Sequence, residues 1–149
     1  MFYISYFYQI RFFNKDLLPI STAMWDPKWF HRKGATIYRD DNGVVNGIKC
    51  PWLTPYKVYN KSLDCSKDCT KEPATCDFLK NYYNYLCTLD FKLAYKALND
   101  KVKQLGAKHG VLIVHETPSN LCSERIVLVK WFENNGVPLP EWDKKFDLY

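Results

Sequence analysis

The sequence predicts an α/β domain, with a mixed or largely parallel sheet flanked by helices and one cysteine-containing loop excursion. Three observations predict it. Val111-Leu-Ile-Val114 is a short continuous apolar run of the kind found in strands buried on both faces. Tyr3–Phe13 and Leu17–Thr22 are rich in aromatic and branched residues and read as extended. From Phe78 onward the apolar period changes to that of a helix. Strands at both ends of a helical stretch are the grammar of a layered α/β fold.

Taken in order, Tyr3–Phe13 carries no Pro or Gly and is expected as the first strand, followed by Leu17–Thr22. Gly34–Tyr38 and Val44–Lys49 flank Asp40-Asp-Asn-Gly43, whose composition suits a turn joining two extended pieces. Phe78, Leu79, Tyr82, Tyr85 and Leu86 form one helical stripe, predicting a helix near Cys76–Cys87. Asp90 suits the cap of a second, Asp90–Leu105, whose stripe is Phe91, Ala94, Tyr95, Leu98, Val102 and Leu105, closed by Gly106. A last helix is expected over Cys122–Asn134. A chain of 149 residues suits a single domain, here 1–149 with 50–76 as a loop insertion.

Between Cys50 and Pro73 the chain is rich in Pro, Asn, Ser and Lys and reads as a long loop, which in a compact domain needs its own restraint. Cys50, Cys65, Cys69 and Cys76 lie in or beside it, and four thiolates bind zinc tetrahedrally, so a structural zinc is the cofactor expected here. The spacing Cys65-x3-Cys69-x6-Cys76 departs from the paired-knuckle pattern. Reduced thiols, a disulfide formed on oxidation and an iron–sulfur cluster are the alternatives.

The opening thirteen residues are apolar but lack a basic n-region and a small-residue cleavage site, and no stretch offers a long uncharged apolar run. The expectation is a cytoplasmic protein with no membrane partner, its six cysteines reduced or metal-bound. Net charge is +5, which permits nucleic acid as a partner without demanding it. In Trp25-Asp-Pro-Lys28-Trp29-Phe30-His31-Arg32-Lys33 cations alternate with rings, and Trp25, Lys28, Trp29 and Arg32 are candidates for stacking a base and holding a phosphate. The competing reading is a loop whose Trp rings anchor in the core while its cations stay solvated.

The stretch Val114-His115-Glu116-Thr-Pro-Ser-Asn-Leu-Cys122-Ser123-Glu-Arg125 carries the candidate chemistry. It reads as a strand end, a polar loop and a helix start, where unpaired backbone N–H groups favour an anion or thiolate. Glu116 and His115 are candidate acids or bases, Cys122 a candidate nucleophile, and Ser123 and Arg125 candidate ligand-holding residues. Cys122 as a small buried hydrophobe is the competing reading.

From Glu116 through Arg125 the chain resembles a family of small bacterial and phage proteins filed under domain of unknown function four-eight-eight. That family has an apolar strand ending in Glu, a Pro-containing loop and Cys-His-Arg opening the last helix. Here Ser123 stands in place of the His, and the Arg falls one position later, at Arg125. Leu18-Pro-Ile-Ser-Thr-Ala-Met-Trp-Asp-Pro27 is similar to the strand and basic loop that follow an early Asp-Val-Arg in the family, although this chain has no Asp-Val-Arg. The resemblance implies an α/β fold with its site at the carboxyl ends of the strands; it implies no particular reaction.

Three functions follow as expectations. The first is recognition of a nucleotide or phosphorylated ligand at the strand–loop–helix site, with a hydrolase or glycosidase-like activity in which Glu116 is the acid or base. The second is a binding protein that sequesters a nucleotide-derived signal without turnover. The third is a nucleic-acid-binding module using the basic stretch Lys28–Arg39 and a zinc-stabilised loop.

Overall fold

A computed structural model describes residues 1–30, 47–59 and 76–143. Its sheet has four strands, β1 (Phe2–Tyr6), β2 (Leu17–Ser21), β3 (Ile48–Lys49) and β4 (His109–Val114), in the order β1-β4-β2-β3. Every pairing is parallel: Phe2 lies opposite Gly110, Leu17 opposite His109 and Ile20 opposite Ile48. Three helices follow the chain, α1 (Asp77–Cys87), α2 (Phe91–Gln104) and α3 (Glu124–Asn134). The α/β expectation holds, and the sheet is parallel throughout. Among the described residues no helix is long and apolar enough to cross a membrane.

Alternation along the strands divides the core in two. Phe2, Ile4, Leu18, Ile20, Leu112 and Val114 point to one face and pack with Tyr82 and Leu86 of α1, Leu98 and Val102 of α2, and Leu128 and Phe132 of α3. Leu17, Val111 and Ile113 point to the other, where Phe7, Ile10, Phe13, Ala23 and Phe30 cover them. Burying both faces is what makes β4 read as unbroken apolar sequence.

The first strand is shorter than its composition suggests. Residues Phe7–Phe12 form a 3-10 helix instead of continuing β1. Phe7, Ile10 and Phe13 are buried while Tyr8, Arg11 and Phe12 are exposed, a spacing of three that matches three residues per turn and not a strand's alternation. The helix folds back under the sheet and supplies much of its second apolar layer.

Pro19 is tolerated inside the sheet because its backbone polar groups face away from β4. Its carbonyl faces Gly47, one residue before β3 begins, so the missing N–H falls on that side and takes no bond from the β2–β4 ladder. On the opposite margin, residues 139–142 run along β1. Ile4 N–H donates to the Pro140 carbonyl at 3.0 Å, and Trp142 N–H donates to the Ile4 carbonyl at 2.8 Å. Leu139 enters the helical-face core, and Trp142 packs edge-on against Phe13. The open edge of β1 is thereby covered.

Gly110 is fixed by crowding. A Cβ there would lie 2.4 Å from Phe2 Cε1 and 3.1 Å from Val102 Cγ2. The Phe2 ring cannot retreat, because it is buried against Tyr95 and Phe132. Gly110→Ala is expected to destabilise the fold by roughly 1–3 kcal/mol through overpacking, more than the ~0.4–1 kcal/mol gained by stiffening the unfolded chain. The urea midpoint of the variant checks it, and an unchanged or higher midpoint contradicts this packing.

Candidate functional site

Because all four strands run the same way, Tyr6, Ser21, Lys49 and Val114 end on one edge of the sheet. His115 and Glu116 leave β4 at that edge. Chain turns of 117–122 then bring α3 back toward it: Asn120 N–H donates to the Thr117 carbonyl at 3.0 Å, and the Asn120 side-chain oxygen accepts from Cys122 N–H at 3.0 Å.

The helix starts two residues later than the cysteine suggests. Ser123 is the N-cap, its hydroxyl accepting from Arg125 N–H at 3.1 Å, as a short hydroxyl does well and a thiol does poorly. The same hydroxyl donates to Glu116 Oε2 at 3.3 Å. Cys122 lies outside the helix, half-buried and packed against the helical-face core. Its position favours the packing role over the nucleophilic one.

Arg125 is buried, and its guanidinium is fully directed at the chain's own groups. Nε donates to Glu141 Oε1 at 2.7 Å and Nη2 to Oε2 at 3.3 Å, a forked pair, while Nη1 donates to the Glu116 carbonyl at 2.6 Å. Tyr6 lies beneath the guanidinium, 5.7 Å from ring centre to carbon. Gln9 extends the network, donating to Tyr6 Oη at 3.0 Å and to Asp143 Oδ1 at 3.3 Å. The expected phosphate-holding Arg is thus a positioning residue that ties the end of β4 to the covering segment at Glu141.

Glu124, the first residue of α3, is the site residue that the sequence reading passed over. Its carboxyl is pushed up to about 7, chiefly by burial and next by the neighbouring charge of Glu116, to which it hydrogen-bonds; the adjacent Arg125 opposes the shift. Glu141 is also raised, by burial first, with Arg125 pulling against it. Near neutral pH, Glu124 therefore still holds its proton in part, beside the Glu116 carboxylate group. An acidic residue opening a helix is an ordinary complement to the helix dipole, which is why Glu124 carried no special signal. Only the fold brings Glu116 against it.

The loop after β2 lies at the same edge and is tied to the end of β4. His115 Nε2–H donates to the Trp25 carbonyl, so His115 binds the loop through that nitrogen, and its ring packs 4.8 Å from that of Phe7. Asp26, which the sequence reading also missed, accepts from the Ser21 hydroxyl and pairs with Lys49 at 3.4 Å. Trp25 is exposed and Lys28 is exposed, whereas Trp29 is half-buried, edge-on to Phe7 and Phe30. Of the two Trp candidates, one stacks into the core and one stands in solvent. Arg32 and His31 lie outside the described residues.

The cysteines divide likewise. Cys50 and Cys76 are both buried in the helical-face core, and burial pushes the Cys50 thiol up to about 12 against two backbone N–H contacts that favour its thiolate. Cys65 and Cys69 lie outside the described residues. Among the described residues no group of three or more His, Cys, Asp or Glu side chains is arranged to hold a metal ion.

The chain matches no family model, no curated protein and no solved structure. Its chemistry has to be read from geometry.

A carboxyl whose folded pKa lies above its unfolded value keeps its proton longer in the native state. The stabilisation is complete below pH 4.5 and is lost as pH rises through about 7. Between those limits Glu124 is expected to cost the fold on the order of 3 kcal/mol as it ionises. Glu124→Gln, which keeps a donor for Glu116 but cannot ionise, should flatten the fall in stability between pH 5 and 7.5. Urea unfolding at the two pH values measures this, and a variant that loses stability as steeply as the parent contradicts it.

Proposed function

We propose that the carboxyl edge of the sheet binds a nucleotide-type ligand and hydrolyses it by general acid–base catalysis, with Glu124 as the protonated acid and Glu116 as the base. What supports the reading is the placement of Glu124, at the start of α3, beside Glu116, at the end of β4 and held by the Ser123 hydroxyl, with burial and then Glu116 raising the Glu124 carboxyl to about 7. Open α/β sheets bind ligands outside the carboxyl ends of their strands. A carboxylic acid that still has its proton near neutral pH is the group such catalysis needs.

The arrangement also narrows the mechanism. Glycosidases that use two independent carboxylates hold them ~5–9.5 Å apart, with sugar or water between. Here Glu116 lies close enough to raise Glu124, so the two carboxyls are adjacent and not separated by a sugar or a water. In the proposed step Glu116 takes a proton from the attacking water as Glu124 gives its own to the leaving group. For a nucleoside phosphate the bond broken is that between sugar C1′ and the base, water supplying the new C1′–O bond. Ser123 orients Glu116, and Arg125 with Glu141 fixes its backbone.

The ligand's phosphate would lie away from the start of α3, which the chain's own carboxyls occupy. Lys28, exposed on the loop after β2, is a suitable cation for it. Sequestration without turnover would use the same surface, and a nucleic-acid module would lose affinity steeply with salt where a mononucleotide site would not.

Incubation with adenosine and uridine 5′-monophosphates, followed by chromatography of free base, tests the reading. Turnover is expected to fall as pH rises through about 7, where Glu124 loses its proton. Glu124→Gln and Glu116→Gln should each lower the rate at least ~100-fold while leaving binding in place. Binding without release of base would favour sequestration, and wild-type turnover by either variant would remove the carboxyl pair from the chemistry.

A further inference from the structure

Residues 24–26 leave the end of β2 as a loop held from four directions. Lys49 of β3 donates from Nζ to the Met24 carbonyl at 3.1 Å. Tyr56, in the short 3-10 turn Pro55–Lys57, donates its hydroxyl to the same carbonyl. His115, just beyond β4, donates from Nε2 to the Trp25 carbonyl. Ser21 of β2 donates to Asp26, whose side chain is only 8% exposed and also pairs with Lys49 at 3.4 Å. A loop backbone gripped by side chains from so many separate segments has little conformational freedom left.

At the centre of that grip stands a side chain that the fold does not bury. Trp25 is 64% exposed, touched at right angles by Tyr59 with ring centres 5.9 Å apart. Trp29, four residues on, has the ordinary fate of a Trp, packed between Phe7 and Phe30. The backbone that carries this indole is fixed, while the ring itself stays exposed. A rigid aromatic ring is the element that stacks a flat ligand with little entropic loss.

We propose that Trp25 is a pre-organised platform for the heterocyclic base of the ligand, so that the site selects nucleobase-bearing molecules over sugar phosphates or phosphate alone. The proposal rests on the nucleotide reading above and names its recognition element. His115 couples the two halves: its ring holds the Trp25 backbone, and the next residue in the chain is Glu116. Trp25 and Glu116 are thereby held at the same carboxyl edge of the sheet. His115 is on this account a positioning residue.

The test uses the full chain labelled with 5-fluorotryptophan, the Trp25 fluorine resonance being assigned by its loss in Trp25→Phe. Adenosine and uridine 5′-monophosphates should shift that resonance, and ribose 5-phosphate should not. Trp25→Ala should weaken nucleotide binding roughly 5- to 150-fold, the range seen when a stacking ring is removed, with Trp25→Phe retaining most of the affinity. Equal shifts from nucleotide and ribose 5-phosphate, or no shift from either nucleotide, overturn the platform. The wild-type resonance gives this answer even if the Ala variant does not fold. Shifts at Trp25 without release of base would leave the platform standing and remove the hydrolytic reading. Release of base with an unshifted Trp25 and an unchanged KM in Trp25→Ala would do the reverse.

Discussion

The guanidinium of Arg125 joins three separate parts of the chain at one point. It is fixed at the start of α3, it donates to the carbonyl of Glu116 where β4 ends, and it forks onto Glu141 in the segment that covers β1. A buried guanidinium is tolerated only when its donors are paired, and removal of either partner leaves a charge stranded. The covering segment is held by backbone bonds to Ile4 and by Leu139 and Trp142, but Glu141 sets its position relative to the site.

This engagement also sets the electrostatics. The charge of Arg125 pulls the Glu124 carboxyl down, against burial and Glu116. The guanidinium fork is spent on Glu141, and Asp143 adds a further negative charge beside that residue. The dipole of α3 favours ionised Glu124, yet such an effect is worth ~0.3–1 kcal/mol at a helix end, and burial beside Glu116 outweighs it. The helix start that looked suited to an external anion is filled by the protein's own acids. It has become a place where a proton is kept.

The legible parts of the fold were those written in local periodicity. Buried on both faces, β4 reads as an apolar run; α1 and α2 carry clear stripes, and Asp90 and Gly106 mark the ends of α2 as caps do, with the Asp90 side chain accepting from Leu93 N–H and Gly106 at a φ of +77°. The end of β1 was misjudged because aromatic composition was weighed above spacing: Phe7, Ile10 and Phe13 recur every third residue. At the site, Glu116, Ser123 and Arg125 were legible because one loop links them. Glu141 and Lys49 were not, since their roles come from long-range pairing that no local pattern records. Trp25 and Trp29 look alike in sequence, and only packing separates a core ring from an exposed one.

The central claim is that a carboxyl at the start of α3 keeps its proton close to neutral pH. Carbon-13 NMR titration of the glutamate side-chain carboxyls, with Glu124 assigned through Glu124→Gln, measures this directly. A Glu124 midpoint near 7 is the predicted result. A Glu124 that titrates at 4.5, like a solvated glutamate and independently of Glu116, would contradict the account.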